Sequence, residues 1–398
     1  MLTSFRVKKG VELPVYWSEH AKNESSTHAI IVIHGSLRDG DSYWTTLNQV
    51  KEQELGSKNP SVDPNLIITA PEFYSSRLNK GLYSSSQLAW GDLNLWQMGA
   101  ESNHPQNAKV SSFAAIEALI KHFDDRKAYP RMKNVTLVGH SGGAQFVNRY
   151  VTVVPYNPKH VHVRYLVADP SSSVYFTRHR PITDPSYVDL KNCTAFNDWR
   201  YGFHNFSIAP YAGKPASHYF HNYVSRDVVN LNGMQDTELN GDQQCMAIAQ
   251  GGSQRIARNM AWWKYINLLA GTDEDVSFYP GNFSELPNWR RFARSGFNVR
   301  MSAVANATHK IDEVFSSAEG VSALFDAANL NPGWRPTQPM SIPALNSSDS
   351  LIDSNNDSDS QAPDFGSLAS SATMLRQSCA IFTAMMSAVI LSVLIELL

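Results

Sequence analysis

Apolar residues along this chain recur in two periods. Short, almost continuous aliphatic runs punctuate it at residues 27–35, 66–71, 134–139, 161–168, 223–233 and 297–304, with an earlier one at 6–18. Runs of this length, rich in Val and Ile and ending at Gly, Pro or Asp, predict strands buried on both faces. Between them lie stretches with apolar residues three and four apart. In 111–126 these are Phe113, Ile116, Leu119, Ile120 and Phe123, behind a Ser-Ser start suited to capping a helix. Helices are likewise expected after Trp44, over 144–151, over 255–269 and from Val314 to Phe325. Buried strands alternating with helices predict an α/β fold, a mostly parallel central sheet covered by helices on both faces.

Two segments break the alternation. Residues 72–107 form a long aromatic-rich stretch around Trp90-Gly91-Asp92 and Trp96, and 171–222 are rich in Pro, Tyr and His, reading as an insertion over the sheet. The catalytic domain is expected to span 1–335. Residues 336–372, rich in Pro, Ser, Asp and Asn, read as a disordered linker. Residues 373–398 end in an apolar run about long enough to span a bilayer. Placed after small residues and a short polar spacer, this tail reads first as a GPI-attachment signal. Its second reading is a tail anchor, which would leave the catalytic domain in the cytosol; a buried helix comes last.

A formal charge of −2 over 398 residues, with no basic run, points away from nucleic acid. Of three cysteines, Cys379 lies in the apolar tail, which leaves Cys193 and Cys245 as a disulfide pair if the compartment is oxidising and as buried thiols if it is not. Sequons at Asn23, Asn134, Asn192, Asn205, Asn282, Asn306, Asn346 and Asn356 favour a secreted or cell-surface glycoprotein. The first ten residues lack the apolar core of a signal peptide, so the sequence is expected to begin inside a longer protein.

The chemistry centres on Gly139-His140-Ser141-Gly142-Gly143, set between a strand and a helix. This G-x-S-x-G is weak as a string, but its setting is that of a nucleophile elbow, where side chains two residues either side of the serine would collide with neighbouring elements. A serine hydroxyl needs a base, usually a histidine oriented by a carboxylate. His309 lies just beyond the last expected strand, whereas His160 and His162 sit at or in a strand and His179, His204, His218 and His221 lie in the insertion. Asp236, three residues after the strand-end Gly233, fits the acid best; Asp169 is second and Asp242 third, and most strand-end aspartates are turn or cap residues. The amide of Gly142 supplies one oxyanion donor, and the loop after His34-Gly35 the other, through Ser36 or Leu37. Trp90, Trp96, Tyr43 and Trp44 read as pocket walls or as core, and Arg38 and Asp39 as a brace or a solvated pair. No metal or organic cofactor is implied, and the partner expected is a small-molecule ester; nothing in the sequence sets an oligomeric state.

In this order, the residues resemble the α/β-hydrolase superfamily over 27–330. The strings IHGSLRDGDSYW, WGDLNLW, GHSGGAQFVNRY, ADPSSSVYF, NCTAFNDWRYG and NGMQDTELNGDQQCMAIAQGGSQR are similar to a group of mostly uncharacterised secreted hydrolases of esterase type. The resemblance implies a canopy built from 171–222, a Cys193–Cys245 bridge tying it to the acid loop, and Asp236 rather than Asp169 as the acid. It also implies a serine hydrolase acting on carboxylic esters, with Ser141, Asp236 and His309 as triad and Ser36 and Gly142 at the oxyanion. A peptidase or lipase, and a non-catalytic surface-binding protein, remain the alternatives.

Overall fold

The computed structural model describes residues 1–343 apart from 92, 93, 183, 185, 186 and 327. Its strands are β1 (Leu2–Lys8), β2 (Val11–Trp17), β3 (His28–Ile33), β4 (Ile67–Pro71), β5 (Tyr74–Ser75), β6 (Ala89–Trp90), β7 (Asn134–His140), β8 (His162–Ala168), β9 (Asp227–Gly233) and β10 (Val299–Val304). Eight form one sheet in the order β1-β2-β4-β3-β7-β8-β9-β10, and β5 pairs with β6 separately. β2 runs antiparallel to β1 and β4, and every other pairing in the large sheet is parallel. The 6–18 run is thus the end of one strand and the whole of another, split where Gly10 takes φ +74°.

Period-two alternation decides which helix covers which face. Ile31, Ile33, Leu137, Tyr165 and Val167 pack with α2 (Ser112–Phe123), α3 (Gly142–Val153), α4 (Ala216–Ser225) and α6 (Arg255–Ala270). Ile30, Val32, Val138 and Leu166 point the other way, toward α1 (Gly40–Gly56), α7 (Ile311–Phe315) and α8 (Ala318–Phe325). Each large side chain buried this way contributes about 1.5–3 kcal/mol. Ser111 caps α2 by accepting from the Ala114 amide, as its position suggests. Two expected elements differ. The helix expected from Val314 to Phe325 is broken because the Ser317 hydroxyl accepts from the Gly320 amide and starts α8 afresh. Tyr223 and Val224 belong to α4, whose buried Tyr219, Phe220, Tyr223 and Val224 share a helical face.

The chain leaves β3 toward β4 on one side and returns as β7 on the other. In open parallel sheets a crevice forms at such a reversal, outside the strand carboxyl ends. Gly35 and Ser141 both follow these ends.

Residues 171–215 are mostly turns, fixed by buried arginines instead of by ladders. The Arg180 guanidinium donates to the carbonyls of Thr177, His179, Phe196 and Tyr201 and lies 4.3 Å from the Tyr175 ring centre. Arg258, on α6, donates to the carbonyls of Ser171, Asp242, Gly252 and Ser253. A Cys193–Cys245 disulfide, with Cα atoms 5.9 Å apart, joins the insertion to α5 (Cys245–Ile248), which follows the loop after β9. Past the expected boundary at 335, Met340 N–H still donates to Phe278 C=O at 2.8 Å. The rest of the expected linker, from 344, and the expected anchor at 373–398 lie outside the described residues.

Arg258→Ala leaves four carbonyls without this donor. At about 1–3 kcal/mol per unsatisfied buried group, some of which water will offset, the expected destabilisation is at least about 3 kcal/mol. Urea unfolding, read alongside limited proteolysis of the 171–215 segment, measures it.

Candidate active site

Ser141 sits between β7 and α3 with φ 57° and ψ −119°, a left-handed backbone forced by the sharpness of the turn. The turn is possible because nothing projects from its flanks. A Cβ on Gly139 would lie 2.1 Å from the Gly143 carbonyl oxygen, and one on Gly143 would lie 2.1 Å from that of Ile33. The Ser141 amide donates to Ala168 C=O at 3.0 Å, which ties the elbow to the end of β8. α3 begins at Gly142, so its unpaired first amides and positive dipole end face the serine.

The loop after β3 is held from below. His34 Nδ1 donates to Gly35 C=O at 2.7 Å and Nε2 accepts from the Phe73 amide at 2.9 Å. Burial depresses the imidazole to about 3, so it is neutral. Beside it, Glu72 accepts from the Gly40 amide at 3.0 Å. Burial pushes the Glu72 carboxyl up to about 8, against the pull of the Gly40 amide and with help from Asp39 and Asp41. Arg38, itself at φ 58°, braces the loop by donating to Ser36 C=O and Asn94 Oδ1. Of the two amides considered, that of Ser36 lies beside Gly142, 3.1 Å from where a Cβ would stand.

Asp236 and His309 come together: His309 Nδ1 lies 2.9 Å from Asp236 Oδ2, with Asp236 buried and the imidazole partly open to solvent. Arg255, the first residue of α6, grips the same carboxylate through Nε at 2.9 and 3.0 Å and through Nη2 at 2.8 Å. Burial alone would raise the Asp236 pKa. The hydrogen bond and charge of His309, then those of Arg255, outweigh it and hold the carboxyl below its usual range. Asp169 shows the opposite balance. Burial and then the Asp236 charge push it well above its usual value, against one amide bond from Gly233 at 2.9 Å and the more distant Arg255. Asp242 accepts from the Tyr201 hydroxyl at 2.6 Å, which ties it to the 171–215 segment.

His140 ties the elbow to His309. Its ring lies 4.6 Å from that of His309, and Nδ1 accepts from the Tyr43 hydroxyl at 3.0 Å. Burial, then the charges of His309 and Arg255, depress its pKa strongly and keep it neutral. His140, Asp169 and His309 bring ligand-type atoms within 4.8 Å of one another. Each offers one ligand atom, so the set could hold a metal ion as well as exchange protons. Trp90 and Trp96 are core; Trp96 stacks on Phe73 at 4.9 Å. Arg255, Glu72 and the role of His140 were not expected from the sequence. Only His140 carried a signal, its place beside the serine.

No protein-family profile matches the chain, and no curated protein does. Solved structures do. LpqC, a poly(3-hydroxybutyrate) depolymerase from Bordetella parapertussis, is 19% identical over 82% of this chain and 90% of its own, with a TM-score of 0.51. Poly(aspartic acid) hydrolase-1 from Sphingomonas sp. KT-1 is 19% identical over 79% and 94%, with a TM-score of 0.49. The chain has the α/β-hydrolase fold.

Glu72 is protonated in the fold up to about pH 8, but ionises near 4.3 when unfolded. Between those values the unfolded chain binds fewer protons, so stability falls as pH rises from about 4.3 through 8. Glu72→Gln is expected to flatten that fall in urea unfolding midpoints at pH 5, 7 and 9; an unchanged slope contradicts the assignment.

Proposed function

We propose that this protein is a serine hydrolase that cleaves carboxylic esters through an acyl-enzyme. The observation that carries the reading is the His309–Asp236 hydrogen bond, whose imidazole lies against His140, the neighbour of a serine in elbow geometry. Ser141 Oγ attacks the ester carbonyl while His309 Nε2 takes its proton, leaving Asp236 ionised and bonded to Nδ1. The tetrahedral oxyanion receives the amides of Gly142 and Ser36. His309 returns the proton to the leaving alkoxide, and water repeats the sequence to free the acid. Removing one such oxyanion donor typically costs about 3–4 kcal/mol of transition-state stabilisation. An ester as the scissile bond agrees with the depolymerase that shares the fold, although a peptidase or lipase would use the same three side chains.

The Cys193–Cys245 disulfide supports an oxidising compartment. So do the sequon asparagines Asn23, Asn192, Asn205, Asn282 and Asn306, all exposed; Asn134 is half-buried at the start of β7. A secreted or surface-held enzyme fits both. Among the described residues, no helix is long and apolar enough to cross a membrane.

A fluorophosphonate probe is expected to label the protein and the Ser57→Ala control, but not Ser141→Ala; absence of labelling in folded wild-type protein would sink the catalytic reading and favour a binding protein.

On p-nitrophenyl esters, Asp236→Asn should lower kcat by about 10³–10⁴-fold. Asp169→Asn should keep most of it, because the fold already disfavours charge on Asp169 and an amide oxygen still accepts from Gly233. The reverse ranking moves the acid to Asp169. Rates across short-acyl, long-acyl and peptide substrates separate esterase, lipase and peptidase.

A further inference from the structure

We infer that the Ser36 hydroxyl is a third oxyanion donor and that Gln97 aims it; this rests on the serine-hydrolase reading above. Three groups converge on the nucleophile's neighbour. A Cβ built on Gly142 would lie 2.5 Å from Gln97 Nε2, 3.0 Å from Ser36 Oγ and 3.1 Å from Ser36 N. The Gly142 amide, the Ser36 amide and the Ser36 hydroxyl therefore border one small space beside Ser141. This also explains why glycine follows the nucleophile: any side chain there would displace Gln97 and fill the hole.

Gln97 Nε2 donates to Ser36 Oγ at 3.1 Å. A hydroxyl has one proton and two lone pairs. With one lone pair taken by an N–H, the proton cannot turn back toward Gln97 and is left to point at the space where negative charge develops. Ser36 is exposed, so a substrate oxygen can reach it. The hydroxyl keeps its proton throughout: an O–H···O⁻ bond tightens as the carbonyl becomes tetrahedral and loosens as it re-forms.

The donor behind it is fixed. Gln97 is buried in a 3₁₀ turn, Leu95–Met98, between Asn94 at φ 55° and Gly99 at φ 86°. Its carbonyl accepts from Arg149 Nη1 at 3.2 Å. Arg149, fully buried on α3, is held in turn by Gln145 Oε1, Ser172 Oγ and Arg200 C=O. Such backing lets a donor stabilise charge without reorganising at the moment of reaction.

The test is steady-state kinetics on the full chain, with binding of a trifluoromethyl ketone that forms a tetrahedral adduct. Ser36→Ala keeps both backbone amides. It should lower kcat by about 10²–10³-fold and ketone affinity by a similar factor, with KM within about threefold. Ser36→Thr restores a hydroxyl and should recover most of the loss. Gln97→Glu replaces the donor with an acceptor that captures the Ser36 proton. It should reproduce the Ser36→Ala loss and add nothing to it in the double variant. Ser36→Ala within about threefold of wild-type kcat overturns the proposal, and so does equal loss in Ser36→Thr. Wild-type protein with neither turnover nor ketone adduct fails the hydrolase reading itself.

Discussion

The close approach of α3 to β3 and β7 is the constraint on which the rest depends. The carbonyl oxygens of Gly143 and Ile33 stand where a Cβ of Gly139 and of Gly143 would be. Without that approach Ser141 could not be held at φ 57°, a strain of about 1–3 kcal/mol that only an over-determined surrounding sustains. The same approach puts the first amide of α3 beside the loop after β3. It also brings His140 under His309, so the turn that strains the serine positions the groups around it.

Around the turn, partners decide protonation. Two buried carboxylates, Asp236 and Asp169, lie close enough to repel each other's charge. The guanidinium and the imidazole against Asp236 favour its charge; burial and that charge disfavour one on Asp169, which has a single close amide. Arg255 thus does more than pack α6. It keeps a charge in the protein interior on the carboxylate bonded to His309, and a buried pair of this kind is strongly destabilised when one member is removed. His34 and Glu72, both neutral in the fold, form the floor of the loop after β3 without adding a competing charge.

Much of this was legible in the sequence. Buried parallel strands write themselves as continuous Val and Ile runs, and the elbow, the strand-end aspartate and His309 fall in a fixed chain order. The disulfide was open on the cysteines alone and was implied only by the resemblance. What stayed hidden acts through tertiary contact. Arg255 opens a helix like any basic residue, Glu72 follows a strand like any loop acid, and Gln97 lies in an aromatic stretch whose tryptophans turned out to be core. Their roles depend on burial and on partners many residues away. The split between α7 and α8 was missed because Ser317 competes locally for a backbone amide inside an otherwise helical pattern.

A crystal structure of the protein after reaction with a phosphonate ester would show the nucleophile and the oxyanion donors together. Phosphorus is expected on Ser141 Oγ, with one phosphoryl oxygen within hydrogen-bond reach of the Gly142 and Ser36 amides. His309 should stand between the adduct and Asp236. An adduct on another residue, or a phosphoryl oxygen facing away from Ser36 and Gly142, would contradict this arrangement.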